Sequence, residues 1–168
     1  MRQALPAVSL VDEQGHAFVP ADFAGHWSFL YFGYTYCPDV CPLALIELAA
    51  LKKRLAEEQQ RAATAYYLVS VDPARDTPER LHEYVTYFDP SFHGLTGSVP
   101  DLTLLAKQMG SVFFIPQGQK TDSYLVSHSS NVALLDPDGK LCAVFTSPHE
   151  PKQLATDFAK VLAYHNHP

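Results

Sequence analysis

The segment Trp27-Ser28-Phe29-Leu30-Tyr31-Phe32-Gly33 is apolar and aromatic with hardly a polar break. A strand with one wet face alternates, so a run like this reads as a strand buried on both faces. Such a strand needs other structure packed above and below it. A second run of the same kind, Tyr66-Tyr67-Leu68-Val69-Ser70-Val71, ends at Asp72-Pro73. Between the two, Ala44, Leu48, Leu51 and Leu55 recur at helical spacing, with Lys52, Lys53, Glu57 and Glu58 off that stripe. The spacing predicts a helix from Pro42 to Glu58, proline being welcome in a first turn where its missing N–H has no partner to lose. Buried strand, helix, buried strand implies parallel pairing through a right-handed crossover.

The remainder extends this plan. Val8 to Val19 reads as two short strands around the Asp12-Glu13-Gln14-Gly15 turn. Thr77 is placed to cap a helix that opens with Pro78 and runs to Phe88. Leu95 to Gly97 is a short strand, Pro100 to Met109 a helix closed by Gly110, and Val112 to Ile115 an extended piece. Asn131–Leu135 and Lys140–Thr146 flank Asp136-Pro137-Asp138-Gly139, a hairpin signal, and a last helix covers Pro151 to Tyr164. The expected architecture is α/β: a thioredoxin-like three-layer α/β/α fold with a mixed central sheet and an N-terminal strand extension, as one domain over residues 1–168.

Charge narrows the partners. The net charge is −6, and the densest basic point, Lys52-Lys53-Arg54, lies inside a predicted helix. Nucleic acid and anionic membrane are therefore poor partners. No run approaches the about 18 apolar residues that span a bilayer, and Met1 to Pro6 lacks the apolar core of a signal peptide. Either a cytosolic protein or the loss of a leading segment accounts for that.

Three cysteines, Cys37, Cys41 and Cys142, are too few for a disulfide framework and suggest a reactive pair plus a bystander. Cys37 and Cys41 lie where a buried strand ends and a helix begins. Unpaired N–H groups there favour thiolate, the form that a nucleophile and a metal ligand both require. Three residues, Pro38, Asp39 and Val40, separate the pair, one more than in the usual C-x-x-C redox loop. The longer loop can close a disulfide and can also aim both sulfurs at one external point, where the charge of Asp39 favours a cation. Two thiolates select soft ions, notably Cu(I), and rarely complete a site.

Neither Met1 nor Met109 sits in a methionine-rich motif, and Cys142, in Leu141-Cys142-Ala143-Val144-Phe145, reads as a small core residue. On a thioredoxin plan the loop Tyr124–Ser130, which leads into the hairpin's first strand, faces the dithiol, and this makes His128 the candidate third ligand. His16, His26, His82, His93 and His149 read as surface or capping residues, and His165 and His167 as a solvated tail.

These motifs together resemble the SCO/SenC group of copper-binding, thioredoxin-like assembly factors for cytochrome c oxidase. Cys37-Pro38-Asp39-Val40-Cys41-Pro42 is similar to that family's C-P-D-V-C-P signature, and Asp72-Pro73-Ala74-Arg75-Asp76-Thr77 to its D-P-x-R-D-T signature. The resemblance implies copper, as Cu(I) or Cu(II), on Cys37, Cys41 and His128. It implies a metallochaperone that delivers copper to the binuclear copper A centre of the oxidase or reduces that centre's thiols. Its partners would be the copper-bearing oxidase subunit and other copper carriers. The location would be the periplasmic face of an inner membrane or the mitochondrial intermembrane space, with a membrane anchor absent from this chain; a monomer is expected. Family members often carry an acidic residue just before the histidine, where this chain has Ser127. Asp72 and Asp76 are read as strand-end and turn residues, not ligands.

The competing reading is an enzyme, a metal-independent thiol-disulfide reductase using Cys37 and Cys41, which gives His128 no task. A peroxidase of peroxiredoxin type lacks its usual proline–threonine–cysteine arrangement, since Thr35 stands only two residues before Cys37. A redox or copper sensor without transfer activity uses the same residues.

Overall fold

The computed structural model describes residues 2–38, 40–118 and 123–166. Strand β1 (Leu10–Asp12) turns back as β2 (Ala17–Phe18), and β3 (Trp27–Gly33), α1 (Val40–Glu57), β4 (Thr64–Ser70), α2 (Pro78–Phe88) and β5 (His93–Gly97) follow. Then come α3 (Val99–Gln108), a small ribbon of β6 (Phe113–Phe114) and β7 (Ser127–His128), the hairpin β8 (Val132–Leu135) and β9 (Leu141–Phe145), and α4 (Pro151–Asn166).

Seven strands form one mixed sheet in the order β2-β1-β5-β4-β3-β8-β9. β3 pairs parallel with β4 along its whole length and antiparallel with β8 on its other edge. β4 pairs parallel with β5, to which β1 adds an antiparallel strand. The crossovers β3–α1–β4 and β4–α2–β5 step the same way across the sheet, so their common right hand puts α1 and α2 on one face. α4 packs beside α1 on that face.

Every residue of β3 is buried, as its composition demanded. Trp27, Phe29 and Tyr31 point toward α1 and α4: Phe158 of α4 meets Trp27 edge-on at 5.5 Å and Phe29 at 5.2 Å, and Phe29 stacks on Tyr66 at 5.3 Å. Such pairs add about 0.5–1.5 kcal/mol each beyond the area they bury. The opposite face carries Tyr67, closed over by Phe18 and Phe23.

Two expectations need correction. Helix α1 starts at Val40, not Pro42, so Cys41 lies inside its first turn; the first-turn N–H groups have no intrahelical acceptor, which leaves Pro42 harmless there. The segment expected to be a loop around His128 is strand β7, paired with β6 so that His128 faces Phe113. Two residues carry no readable period, which is why the sequence alone left it a loop.

A buried carboxylate fastens the turn after β1 to β5. Glu13 Oε1 lies 2.9 Å from His93 Nδ1, and the Gly94 N–H donates to Oε2 at 3.2 Å. His93 is lifted above its ordinary 6.5, chiefly by that hydrogen bond, against desolvation. Burial alone would raise Glu13, but its bond to His93 and its backbone donors hold it below the ordinary 4.5. Asp12, His26 and Tyr67 also face the pair: His26 is lowered by burial and then by the charge of His93, and Tyr67, stacked on His93 at 5.2 Å, is raised by burial and then by the charge of Glu13. The contribution of His93 is complete below its ordinary value and is lost as pH rises through the elevated one; that of Glu13 is complete above its ordinary value and is lost as pH falls through the depressed one. Urea unfolding should therefore show a decline in stability as pH rises above the ordinary histidine value of 6.5, and His93→Gln should remove it. Because the His93 side chain is 45% exposed, solvent screening keeps the effect below about 1 kcal/mol. An identical slope in the variant would show that the pair contributes nothing.

Candidate metal centre

The C-terminal end of β3 delivers one sulfur and the first turn of α1 the other. Cys37 follows a turn in which its N–H donates to the Tyr34 carbonyl at 3.2 Å. Both cysteines are thiols rather than a disulfide, with Cys37 7% and Cys41 0% exposed. His128 arrives from β7 and is half-buried. Its Nε2 lies 3.4 Å from Cys41 Sγ and 3.8 Å from Cys37 Sγ, and the three ligand atoms all fall within 4.8 Å of one another. Asp39, expected to add charge to the loop, lies outside the described residues.

The tautomer of His128 follows from its other nitrogen. Nδ1 is 3.0 Å from the Ser129 carbonyl, which can only accept, so Nδ1 carries the proton and Nε2 turns a lone pair toward the sulfurs. The rings of Tyr31 and Tyr34 stand edge-on to the imidazole at 6.0 and 5.8 Å, and the Tyr34 hydroxyl accepts the N–H of Val126 at 3.0 Å. This cage holds the ring from two sides.

Reasoning from the helix terminus favoured thiolates, and at Cys41 that is overturned. Its pKa is pushed up, first by the hydrogen bond with Cys37, then by burial, then by the charge of Cys37. Two sulfurs this close in a dry site cannot both ionise unless a cation lies between them. The same crowding reaches the neighbouring tyrosines, Tyr31 and Tyr84, both raised by burial and further by the cysteines. At least one of the two sulfurs therefore keeps its proton until a soft cation displaces it.

Two carboxylates that the sequence marked only as turn residues do more. Asp76 is 1% exposed; it accepts the Thr35 N–H at 3.0 Å, the Thr35 hydroxyl at 2.6 Å and the Ser70 hydroxyl at 2.7 Å. It thereby ties the end of β4 to the turn that leads into Cys37, and Arg80 of α2 donates to the Thr35 hydroxyl at 3.0 Å. Asp72, also buried, accepts Arg75 Nε at 2.6 Å and the Tyr124 hydroxyl at 2.6 Å. The signal available in the sequence was the second motif itself, whose two carboxylates flank an arginine.

The other candidates fall away from the centre. Cys142 is partly buried in β9, with its thiol donating to the Leu134 carbonyl at 3.3 Å and its pKa pushed up to about 12 by burial. His16 and His82 are exposed, as expected. His149 is not a surface residue: it is 3% exposed, donates to the Ser130 carbonyl at 2.6 Å and stands edge-on to Tyr31. Nor is His165 a solvated tail; it packs on Trp27 at 5.0 Å beside Arg2 and Asp136, because α4 continues to Asn166. His26 lies 3.1 Å from the Tyr67 hydroxyl. His167 is outside the described residues.

A thioredoxin-like sheet whose strand–helix junction carries a dithiol, met by a histidine from an inserted ribbon, defines a class of small metal-handling and redox proteins. The chain matches the SCO1/SenC family over residues 3–163 and belongs to that family. A putative copper-binding protein of Stutzerimonas stutzeri is 40% identical over 146 residues, covering 87% of this chain and 71% of the relative. The mitochondrial SCO1 homolog 1 of Arabidopsis thaliana is 34% identical over 154 residues, covering 92% of this chain and 46% of the relative. The chain thus spans between about half and seven-tenths of the length of these curated relatives. Among solved structures, Arabidopsis thaliana ScoI with copper bound superimposes with a TM-score of 0.86 at 32% identity, covering 96% of this chain and 99% of that one. Yeast Sco1 with copper bound gives 0.85 at 29% identity, covering 94% and 87%.

Close packing makes one glycine necessary here. A Cβ on Gly33 would lie 2.7 Å from Cys41 Sγ, 3.1 Å from Tyr31 and 3.2 Å from Leu68. Gly33→Ala should cost about 1–3 kcal/mol in urea unfolding, the usual penalty of overpacking a dense site. A variant as stable as the parent would mean that the sulfur has room to move aside.

Proposed function

We propose that this protein binds copper through Cys37, Cys41 and His128 and passes it on during assembly of cytochrome c oxidase. The observation that carries the reading is the convergence of two cysteine sulfurs and His128 Nε2 within 4.8 Å of one another. Membership of the SCO1/SenC family supports it, as do the copper-bound structures of the Arabidopsis and yeast relatives. On binding, the sulfurs give up their protons, and the ion offsets the second negative charge that burial and the neighbouring sulfur disfavour; with Cu(I) the two thiolates keep one net negative charge. Two sulfurs and one nitrogen satisfy Cu(I); Cu(II) wants a tetragonal site and takes a further ligand from solvent or a partner.

Delivery needs a site that a recipient can reach. His128 is half-buried rather than enclosed, and Tyr36, Val40 and Leu43 beside the sulfurs are 44%, 42% and 53% exposed. A recipient's thiol or imidazole can enter from this side as one of the three ligands leaves. The recipient in this reading is the copper-bearing subunit of the oxidase, in which the binuclear copper A centre is built. The work then takes place on the periplasmic side of an inner membrane or in the intermembrane space, a placement supported by mitochondrial relatives. Among the described residues no helix is long and apolar enough to cross a membrane.

The sulfur pair supports a second reading, reduction of a partner's disulfide. Cys37, the more exposed sulfur, attacks one partner sulfur; Cys41 then displaces the mixed disulfide, leaving a Cys37–Cys41 bond and a partner dithiol that has gained two electrons and two protons.

The readings part at His128. Cu(II) added to the reduced protein should produce strong sulfur-to-copper charge-transfer bands. His128→Ala should reshape those bands and lower affinity by tenfold or more, roughly the loss typical of a perturbed metal site, while thiol exchange persists. Unchanged affinity and spectrum in that variant would remove His128 from the site. Cys142→Ser should alter neither property.

A further inference from the structure

The second sequence motif, Asp72 to Thr77, is not among the three converging ligands, yet its arginine makes several contacts beside them. Arg75 has a side chain only 9% exposed and is held by the buried Asp72 carboxylate at 2.6 Å. From there its guanidinium reaches in two directions. Nη2 donates to the Tyr124 carbonyl at 2.8 Å while the group lies over the Tyr124 ring at 3.6 Å. It also lies 4.7 Å from the ring of Tyr36 and 5.8 Å from that of Tyr34, the residues that lead into Cys37. Asp72 completes the link by accepting the Tyr124 hydroxyl at 2.6 Å. One arginine thus touches the turn that carries the first sulfur and the chain that carries the histidine.

That chain needs such a hold. Tyr124 stands four residues before His128, and β7 is a two-residue strand in a ribbon separate from the main sheet. Val126 enters the core at 4% exposed, but Leu125 is 63% exposed, and Val112 and Phe114 on the other strand are 70% and 64% exposed, so much of the ribbon's apolar surface stays in solvent. Beside the apolar packing of Val126 and the partly buried Phe113 and Tyr124 against the core, its attachments to the body are polar, Arg75 at Tyr124 and the Tyr34 hydroxyl at Val126, and within the ribbon the Ser129 N–H donates to the Val112 carbonyl at 2.9 Å.

We propose that Arg75 is a positioning residue for the metal centre: clamped by Asp72, it fixes the chain at Tyr124 and so holds His128 over Cys37 and Cys41 before copper arrives. This rests on the reading of those three residues as copper ligands. A planar guanidinium suits the task because it can accept support from a carboxylate, donate to a carbonyl and stack on a ring at once, which an ammonium cannot.

The test is a set of double-mutant cycles read by Cu(II) competition titration and by nitrogen coupling in the electron paramagnetic resonance spectrum. Arg75→Gln and Tyr124→Leu are each made with His128 present and with His128→Ala. Tyr124→Leu keeps the Arg75–Asp72 pair, so a folded variant is available should Arg75→Gln leave Asp72 buried and uncompensated. With His128 present, each should lower copper affinity by about 10–100-fold and weaken the nitrogen coupling. In the His128→Ala background each should change affinity by no more than about twofold, because the residue being positioned is gone. Arg75→Lys should behave like Arg75→Gln, since it keeps the charge but loses the fork. Equal losses in both backgrounds, or full recovery with lysine, would assign the effect to charge or general stability and overturn the proposal. No loss from Arg75→Gln and Tyr124→Leu, where His128→Ala does lose affinity, would overturn the clamp alone. If His128→Ala itself loses nothing, the ligand assignment fails and the clamp fails with it.

Discussion

The two sulfurs of the metal centre are positioned by β3. Its parallel pairing with β4 and antiparallel pairing with β8 fix its ends in space, and its side chains are buried on both faces. The turn after Gly33 therefore leaves from a rigid point. Parallel pairing also puts the end of β4 beside the end of β3, which lets Asp76 accept from Ser70 and Thr35 together. A one-residue slip of that register would turn Gly33 away from Cys41 and put a side chain where the sulfur sits. The backbone ladder is thus the source of the geometry, and the sulfur positions are its consequence.

Around this frame the centre is assembled from parts that are individually uncomfortable. Two thiols share a dry site in which double ionisation is disfavoured, and buried carboxylates at Asp72 and Asp76 need donors to be tolerated. Each cost is met locally, for the carboxylates by hydroxyls, backbone N–H groups and Arg75. For the thiols the compensation comes from outside, as a cation. A site that disfavours two thiolates unless a cation lies between them couples loading to proton release. It also couples loading to redox state, because a disulfide between the same sulfurs would remove both ligands.

Much of the fold could be read from the chain. The buried runs at Trp27–Gly33 and Tyr66–Val71, the cap at Thr77 and the hairpin turn at Asp136–Gly139 are local signals, and each leaves a mark on consecutive residues. The start of α1 was misplaced because Pro42 fits a first helical position and a third equally well. Strand β7 and the burial of His149 and His165 left no mark at all: a two-residue strand has no period, and an imidazole is placed in or out by what packs against it.

For the centre itself, the chain determined the chemistry: which soft ligands exist, that two sit at a strand–helix junction, and, through its motifs, that a particular histidine is worth pairing with them. Only the tertiary structure decided that His128 meets the sulfurs through Nε2, that Cys41 leans against Gly33, and that Arg75 joins the two loops. The reason is physical distance along the chain. Cys41 and His128 are 87 residues apart, and no local preference acts over that separation. What brings them within 3.4 Å is the seating of the β6–β7 ribbon, which lies outside the main sheet, over the junction of β3 and α1.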